Sequence, residues 1–153
     1  MLSVESLSVN YGAIRALKNV SCAVEKGEIV ALIGANGAGK TTILNTVTGI
    51  VPSLSGKTVF EGEEITSLAP HLIVKRGICQ VPEGRRVFAR MSVLENLEMG
   101  AYTRSDKHEV AEGIERAFTL FPRLKERMKQ PAKTLSGGEQ QMRSEEHTSE
   151  LQS

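Results

Sequence analysis

Residues 34–42 read GANGAGKTT and match the pattern G-x-x-x-x-G-K-[ST]. In this pattern, glycines let backbone N–H groups close around phosphate oxygens, the lysine reaches the outer phosphates, and the next hydroxyl reaches Mg²⁺. The stretch therefore predicts a phosphate-binding loop that holds a nucleoside triphosphate. The residues assigned to it are Gly34, Ala35, Asn36, Gly37, Ala38, Gly39, Lys40, Thr41 and Thr42.

The sequence on either side of this loop has the order that such a loop requires. The apolar run 29–33, IVALI, predicts a buried strand before the loop. Residues 40–49 predict a helix that Gly49 ends, with its positive end directed at the phosphates. A glycine-rich turn that carries a lysine by chance would not explain this order of elements.

Composition limits the classes of protein to consider. The chain has 153 residues, which suits one domain, and a formal net charge of +1, which disfavours a broad nucleic-acid-binding face. We therefore expect no nucleic-acid partner. Cys22 and Cys79 are isolated in sequence, so small buried hydrophobes in a reducing compartment are favoured over a disulfide or redox role. The three histidines lack metal-ligand spacing.

The N-terminal sequence has no basic region followed by an apolar one, which disfavours a signal peptide. No apolar run approaches the roughly 20 residues that a membrane-spanning helix needs. We expect a cytoplasmic protein, or a peripheral subunit of a membrane complex.

A second motif, LSGGEQQ at residues 135–141, narrows the class. The Ser136 hydroxyl and the N–H groups of Gly137 and Gly138 suit a γ-phosphate that approaches from outside. Alone, this stretch is also compatible with a solvated turn. Together with the phosphate loop it closely resembles the ATP-binding cassette (ABC) family, whose ATPase subunits drive membrane transporters.

The resemblance implies a fold class, cofactors and partners. The fold is α/β, a P-loop NTPase core with an antiparallel β lobe and a helical insert, and the cofactors are ATP and Mg²⁺. A second ABC ATPase subunit would form a head-to-tail dimer in which Ser136, Gly137 and Gly138 of one subunit act on the nucleotide of the other. Further partners are integral membrane permease subunits and, indirectly, a periplasmic binding protein. The location implied is cytoplasmic, peripheral on the inner face of the cell membrane.

Two more residues receive roles from the resemblance. Tyr11 matches the aromatic residue on which the family stacks adenine, and an ordinary tyrosine at a strand end remains the alternative. Glu83 stands where most of the family has a glutamine that contacts Mg²⁺. Its carboxylate is a candidate metal ligand, alongside Thr41. Pairing of Glu83 with Arg85 or Arg86 remains an equal alternative.

The motifs VPEGRRVF at 81–88 and SVLENLEMGAY at 92–102 resemble the subgroup that energises branched-chain amino acid import, most closely its shorter ATPase subunit. The function implied is ATP-driven uptake of branched-chain amino acids. Alternatives are an ABC ATPase for another substrate (urea, or lipopolysaccharide export), a non-transport ABC ATPase, and a P-loop enzyme such as a small-molecule kinase.

The remaining pattern predicts local elements. Residues 2–9, 17–24 and 56–60 alternate as antiparallel strands do, and Pro70 begins a short helix that Gly77 ends. Residues 92–128 form the helical insert, in which Ser92 and Glu95 make a capping box and Ser105 or Asp106 caps a second helix. The apolar stripe of that helix is expected to pack in the core and comprises Val110, Ile114, Ala117, Phe118 and Phe121. In the family this region and the loop around Glu83 receive a helix of the membrane subunit, which would give Phe88, Arg85 and Arg86 a partner-facing role; a plain surface loop remains the alternative.

Residues 143–153, RSEEHTSELQS, carry one leucine and offer no apolar face. They resemble the translation of a sequencing adapter, so we expect residues 1–142 to be a partial nucleotide-binding domain and 143–153 a non-native polar tail. In the family the catalytic glutamate, a metal-binding aspartate and a switch histidine follow the signature. No residue of this chain is therefore assigned as a general base, and we expect a hydrolytically inactive, poorly soluble chain.

Overall fold

The computed structural model describes residues 1–82, 84 and 87–135. The chain divides into two compact units, 1–78 and 79–153. The first unit contains, in chain order, β1 (Leu2–Tyr11), β2 (Ile14–Val24), α1 (Lys40–Val47), β3 (Ser55–Phe60), β4 (Glu63–Glu64) and α2 (Pro70–Lys75). The second contains α3 (Val93–Gly100), α4 (Lys107–Leu120), α5 (Pro122–Glu126) and a 3₁₀ turn (Ala132–Thr134).

The first unit is built on an antiparallel sheet with the strand order β2-β1-β3-β4. The central strand β1 pairs with both neighbours, so that Leu2 lies opposite Val24 on one side and Phe60 on the other. Its inward side chains form a core with β2 and α1 that comprises Val4, Leu7, Val9, Leu17 and Val47. The antiparallel lobe predicted from the first sixty residues is confirmed, with β1 and β2 longer than predicted.

The pairing of β1 with β3 contains an irregularity that only glycine allows. The register shifts between Glu5 and Ser8, and Gly56 on β3 has φ +93°. A Cβ atom at Gly56 would lie 2.6 Å from the carbonyl oxygens of Glu5 and Ser6, closer than any side chain tolerates. The two backbones can therefore approach at this bulge because residue 56 has no side chain.

The prediction of a buried strand at residues 29–33 is wrong for this structure. The segment has no regular secondary structure, and Ile29 and Ile33 are 98% and 94% exposed. All strand pairings among the described residues are antiparallel, and none of them involves residues 29–33. An apolar run becomes a buried strand only when other strands pair with it and helices cover it, and no described residue pairs with this segment.

Glycines end two helices where the sequence predicts. Helix α1 is followed by Gly49 at φ +75°, and α2 by Gly77 at φ +100°. Pro70 is the first residue of α2, as predicted. No helix in the described ranges is both long enough and apolar enough to cross a bilayer.

The second unit confirms the helical insert. Its first helix, α3, starts at the predicted capping box: the Glu95 N–H donates to Ser92 Oγ at 3.2 Å, and the Ser92 N–H donates to Glu95 Oε2 at 2.7 Å. Of the two candidates for the next cap, Asp106 caps α4 by accepting a hydrogen bond from the His108 N–H at 2.8 Å.

Four of the five residues of the predicted stripe on α4 pack as a core, and the fifth, Val110, is only partly buried. Ala117 and Phe118 are buried, and Ile114 and Phe121 pack at the edge of the same cluster. The buried members of this cluster are Val93, Leu97, Phe118, Leu124 and Leu135. The two cysteines are free thiols, and partial burial raises the pKa of Cys79, which favours its unreactive protonated form.

Candidate functional site

The loop at residues 34–42 follows a path that glycine makes possible. Gly37 and Gly39 have φ +85° and +90°, in the left-handed region. A Cβ atom at Gly39 would lie 2.5 Å from the Leu17 side chain and 3.1 Å from the carbonyl oxygen of Ala16. The loop therefore lies directly against β2 at Gly39, which is also the N-cap residue of α1.

The start of α1 presents unpaired backbone donors. The first hydrogen bond of the helix is donated by the Ile43 N–H to Gly39 O at 3.0 Å. In the described part of the chain, the N–H groups of Gly37, Gly39, Lys40 and Thr41 have no protein acceptor. The first turn also contains no acidic residue. Free N–H groups at the positive end of a helix attract anions, so this turn fits phosphate oxygens.

The Lys40 side chain folds back over the loop. Its Nζ donates to the carbonyl oxygens of Gly34 and Ala35 at 2.7 and 2.9 Å. The Ala38 N–H also donates to Ala35 O, at 3.1 Å, which closes a turn inside the loop. The lysine ammonium is thus held beside the same loop whose N–H groups are free.

The two threonines of the motif differ in exposure. Thr41 is exposed, so its hydroxyl is accessible as an oxygen ligand of the kind that Mg²⁺ prefers. Thr42 is buried, so its side chain packs inward and only its backbone remains close to the loop. Among the described residues, no cluster of three or more His, Cys, Asp or Glu could hold a metal ion by itself. A metal here would therefore rely on Thr41 and on oxygens that a ligand brings.

Tyr11 is the last residue of β1 and pairs with Ile14 across a tight turn. Its side chain is 47% exposed, which leaves a ring face accessible for stacking. Its role with adenine stays a prediction.

Other predicted site residues lie outside the described part of the chain. They are Glu83, Arg85, Arg86, Ser136, Gly137 and Gly138. Their roles stay predictions, as does the assignment of 143–153 as a tail. The first residue of the signature is described: Leu135 is buried in the core of the second unit, which anchors the chain where the motif begins.

Sequence reasoning missed Asn96. This residue of α3 is 4% exposed, and its Oδ1 accepts a hydrogen bond from the Phe88 N–H at 2.9 Å. Its Nδ2 donates to the carbonyl oxygens of Phe88, Met91 and Ser92 at 3.1, 3.3 and 2.8 Å. One amide thus holds the loop 88–92, whose Phe88 side chain is 56% exposed. The sequence feature that could have identified Asn96 is its polar side chain between the apolar helix positions 93 and 97.

Comparison with known protein families decides the class. The family model for ABC transporters matches residues 17–144, which include the loop 34–42 and the signature stretch. The chain belongs to the ABC transporter family.

Individual relatives of this chain support the same family assignment. It is 52% identical over 142 residues to a high-affinity branched-chain amino acid transport ATP-binding protein, BraG, of Pseudomonas aeruginosa; the match covers 93% of this chain and 60% of that protein. It is 43% identical, with the same coverage, to a probable branched-chain amino acid transport ATP-binding protein, LivF, of Archaeoglobus fulgidus. A solved structure of the ATP-binding subunit of an ABC transporter superposes with a TM-score of 0.87 at 27% identity, and covers 99% of this chain and 62% of that one.

These coverages mean that the chain spans about 60% of the length of the relatives that it matches. The expected ABC-cassette fold class is confirmed by the matches.

Proposed function

We propose that this chain is part of the ATP-binding subunit of an ABC importer that couples ATP binding and hydrolysis to uptake of branched-chain amino acids. The observation that carries the proposal is the start of α1, where unpaired N–H groups and the Lys40 ammonium surround one glycine-rich loop. The amino acid substrate is supported by the names of the two relatives described above.

Each residue of the site has a distinct proposed role. The N–H groups of Gly37, Gly39, Lys40 and Thr41 bind the inner phosphates of ATP, and the Lys40 side chain binds the outer ones. The Thr41 hydroxyl binds Mg²⁺, and Glu83 supplies a further oxygen. Tyr11 stacks on adenine. Mg²⁺, when bound, neutralises charge on the phosphates.

The proposed assembly follows from the family. A second ABC ATPase subunit binds head to tail, and its Ser136, Gly137 and Gly138 contact the nucleotide of this chain. Integral membrane permease subunits dock on the helical insert and on the loop before it, where the exposed Phe88 is available to them. A periplasmic binding protein acts indirectly, through the permease. The location proposed is cytoplasmic, at the inner face of the membrane.

We further propose that the 153-residue chain itself does not hydrolyse ATP. Hydrolysis needs a group that positions the attacking water and a complete metal shell. No residue in 1–142, the proposed partial nucleotide-binding domain, is a candidate for the first role. The proposed tail, 143–153, offers only glutamates in a polar stretch.

Binding of a fluorescent ATP analogue with Mg²⁺ tests the nucleotide site. Lys40→Ala should weaken binding about tenfold or more, since a hydrogen bond to a charged group is lost. Lys129→Ala is the matched control, because Lys129 is exposed and lies in the other unit. Equal affinities for the Lys40 variant and the unchanged chain would contradict the proposal.

Three more tests address the tail, the predicted lack of hydrolysis and the substrate class. Deletion of residues 143–153 should leave affinity unchanged, and a loss of binding would give the tail a role. Phosphate release by the 153-residue chain should equal background. For the substrate class, genes for a permease and a periplasmic amino-acid-binding protein beside this gene would support import, and export genes in their place would contradict it.

A further inference from the structure

A cavity of about 280 Å³ lies between the end of α3 and the first turns of α4. Its charged lining residues are Glu98, Arg104 and Lys107, and its apolar wall is Val110, Ala111 and Ile114. The volume is just below the range of about 300–1,000 Å³ that is typical of sites for drug-sized ligands. The cavity therefore suits a small metabolite, and it lies in a different unit from the loop 34–42.

The charged side chains that line this cavity, one carboxylate and two cations, do not form ion pairs with each other. The Arg104 guanidinium already forms an ion pair with Glu109, with Nη1 to Oε2 at 3.2 Å. Glu98 and Lys107 form no ion pair with any described residue, although both line the cavity. A simple anion would meet the Glu98 carboxylate, and a simple cation would meet the Lys107 ammonium. A zwitterion satisfies both charges at once.

The apolar wall of the cavity runs along one face of α4. Lys107, Ala111 and Ile114 follow one another at i, i+4 and i+7 along α4, so they lie on one face of the helix. At 1.5 Å per residue this face runs about 10 Å from the lysine to the isoleucine. A ligand whose charged end lies at Lys107 would place an aliphatic chain along the branched and methyl side chains beyond it.

We propose that this cavity binds a small aliphatic α-amino acid. Its carboxylate lies at Lys107, its ammonium at Glu98, and its side chain against Val110, Ala111 and Ile114. The binding site goes beyond the proposed function. Its regulatory meaning rests on that function: an importer subunit with such a site would sense the imported solute on its own helical insert.

Saturation-transfer NMR of the 153-residue chain with L-leucine tests the site directly, because the method needs little protein. Since Glu98 and Lys107 are both exposed, we expect weak binding, on the order of 1 mM. Three analogues each lack one recognised group: 4-methylpentanoate has no ammonium, 3-methylbutylamine no carboxylate, and glycine no aliphatic side chain. Each should give a clearly smaller signal than leucine, and equal signals for leucine and all three analogues would overturn the proposal.

Variants locate the binding. Lys107→Gln and Glu98→Gln should each weaken leucine binding about three- to fivefold, as expected for an exposed ion pair. Lys129→Gln is the control, since this exposed lysine does not line the cavity, and it should change nothing. Leucine binding that both cavity variants leave intact would refute the site, as would no leucine signal at millimolar concentration. ATP binding by the same samples should be equal in all variants; its loss everywhere would count against the proposed function and not against the cavity. Circular dichroism reports on folding, and the analogue series decides if a variant misfolds.

Discussion

Asn96→Ala tests whether one side-chain amide holds the loop 88–92. The substitution removes four hydrogen bonds, but the three carbonyl oxygens keep other donors. Phe88 O still accepts from the Met91 N–H at 3.0 Å, Met91 O from the Ala132 N–H at 2.9 Å, and Ser92 O from the backbone N–H of residue 96 at 3.1 Å. Only the Phe88 N–H is left without an acceptor among the described residues. The expected cost is therefore that of one unsatisfied donor, about 1–3 kcal/mol.

Hydrogen exchange followed by mass spectrometry measures this cost separately for the second structural unit, which contains α3. A loss of about 1–3 kcal/mol should speed exchange of the α3 amides about 5- to 150-fold. Peptides from β1, in the other unit, serve as an internal reference and should not change. Gln130→Ala is a matched control, because it removes an exposed amide in the same unit and should have an effect within about 0.5 kcal/mol.

If α3 peptides exchange at the original rate in the Asn96→Ala chain, the amide does not hold the loop 88–92. An equal rise of exchange in β1 would show that the amide does not act through this loop. Asn96→Asp keeps the acceptor but places a carboxylate beside three carbonyl oxygens. It should be at least as destabilising as alanine at neutral pH.

Three further changes have clear expected outcomes. Gly39→Ala should destabilise the first unit by at least about 1 kcal/mol, because φ is +90° and the new Cβ would lie 2.5 Å from a leucine carbon. The loss should lower the thermal midpoint of this unit, and an unchanged midpoint would contradict the observed loop. Replacing both Ile29 and Ile33 by serine should raise the soluble fraction after expression, because two almost fully exposed apolar side chains are removed; no increase would show that another surface drives aggregation. Hydrogen bonds from the Ser92 backbone and side chain lower the pKa of Glu95, so its stabilisation of α3 should be complete above about pH 5 and decline as the pH falls through the lowered value; the stability difference between the chain and Glu95→Gln should shrink in acid, and a constant difference would argue against this role.

Local signals in the sequence predicted the local structure well. The capping box at Ser92, the proline that begins α2 and the glycines at 49 and 77 act within one helical turn, so a short window of sequence contains all their causes. The strand predicted at 29–33 depends on partners far away in the chain. An apolar run indicates that a segment would be stable as a buried strand. Burial also requires neighbouring strands and helices, which the run itself does not encode.

The candidate site also combines features that depend on local sequence with features that depend on distant parts of the chain. The left-handed glycines and the exposed Thr41 follow from the motif itself. The burial of Thr42 and the contacts of Asn96 depend on how neighbouring elements lie, and the sequence pattern does not contain that information. Asn96 binds backbone atoms up to eight residues away, through a loop whose path no periodicity describes.

The Lys40 ammonium has a consequence for the kinetics of ligand entry. Two carbonyl oxygens of its own loop already accept its hydrogen bonds. A phosphate that enters the loop therefore exchanges partners with these carbonyls and does not meet a free cation. Release of the lysine becomes a step on the association pathway, with its own barrier. The same two bonds re-form when the ligand leaves, so they stabilise the ligand-free loop and lower the affinity of the chain for the ligand.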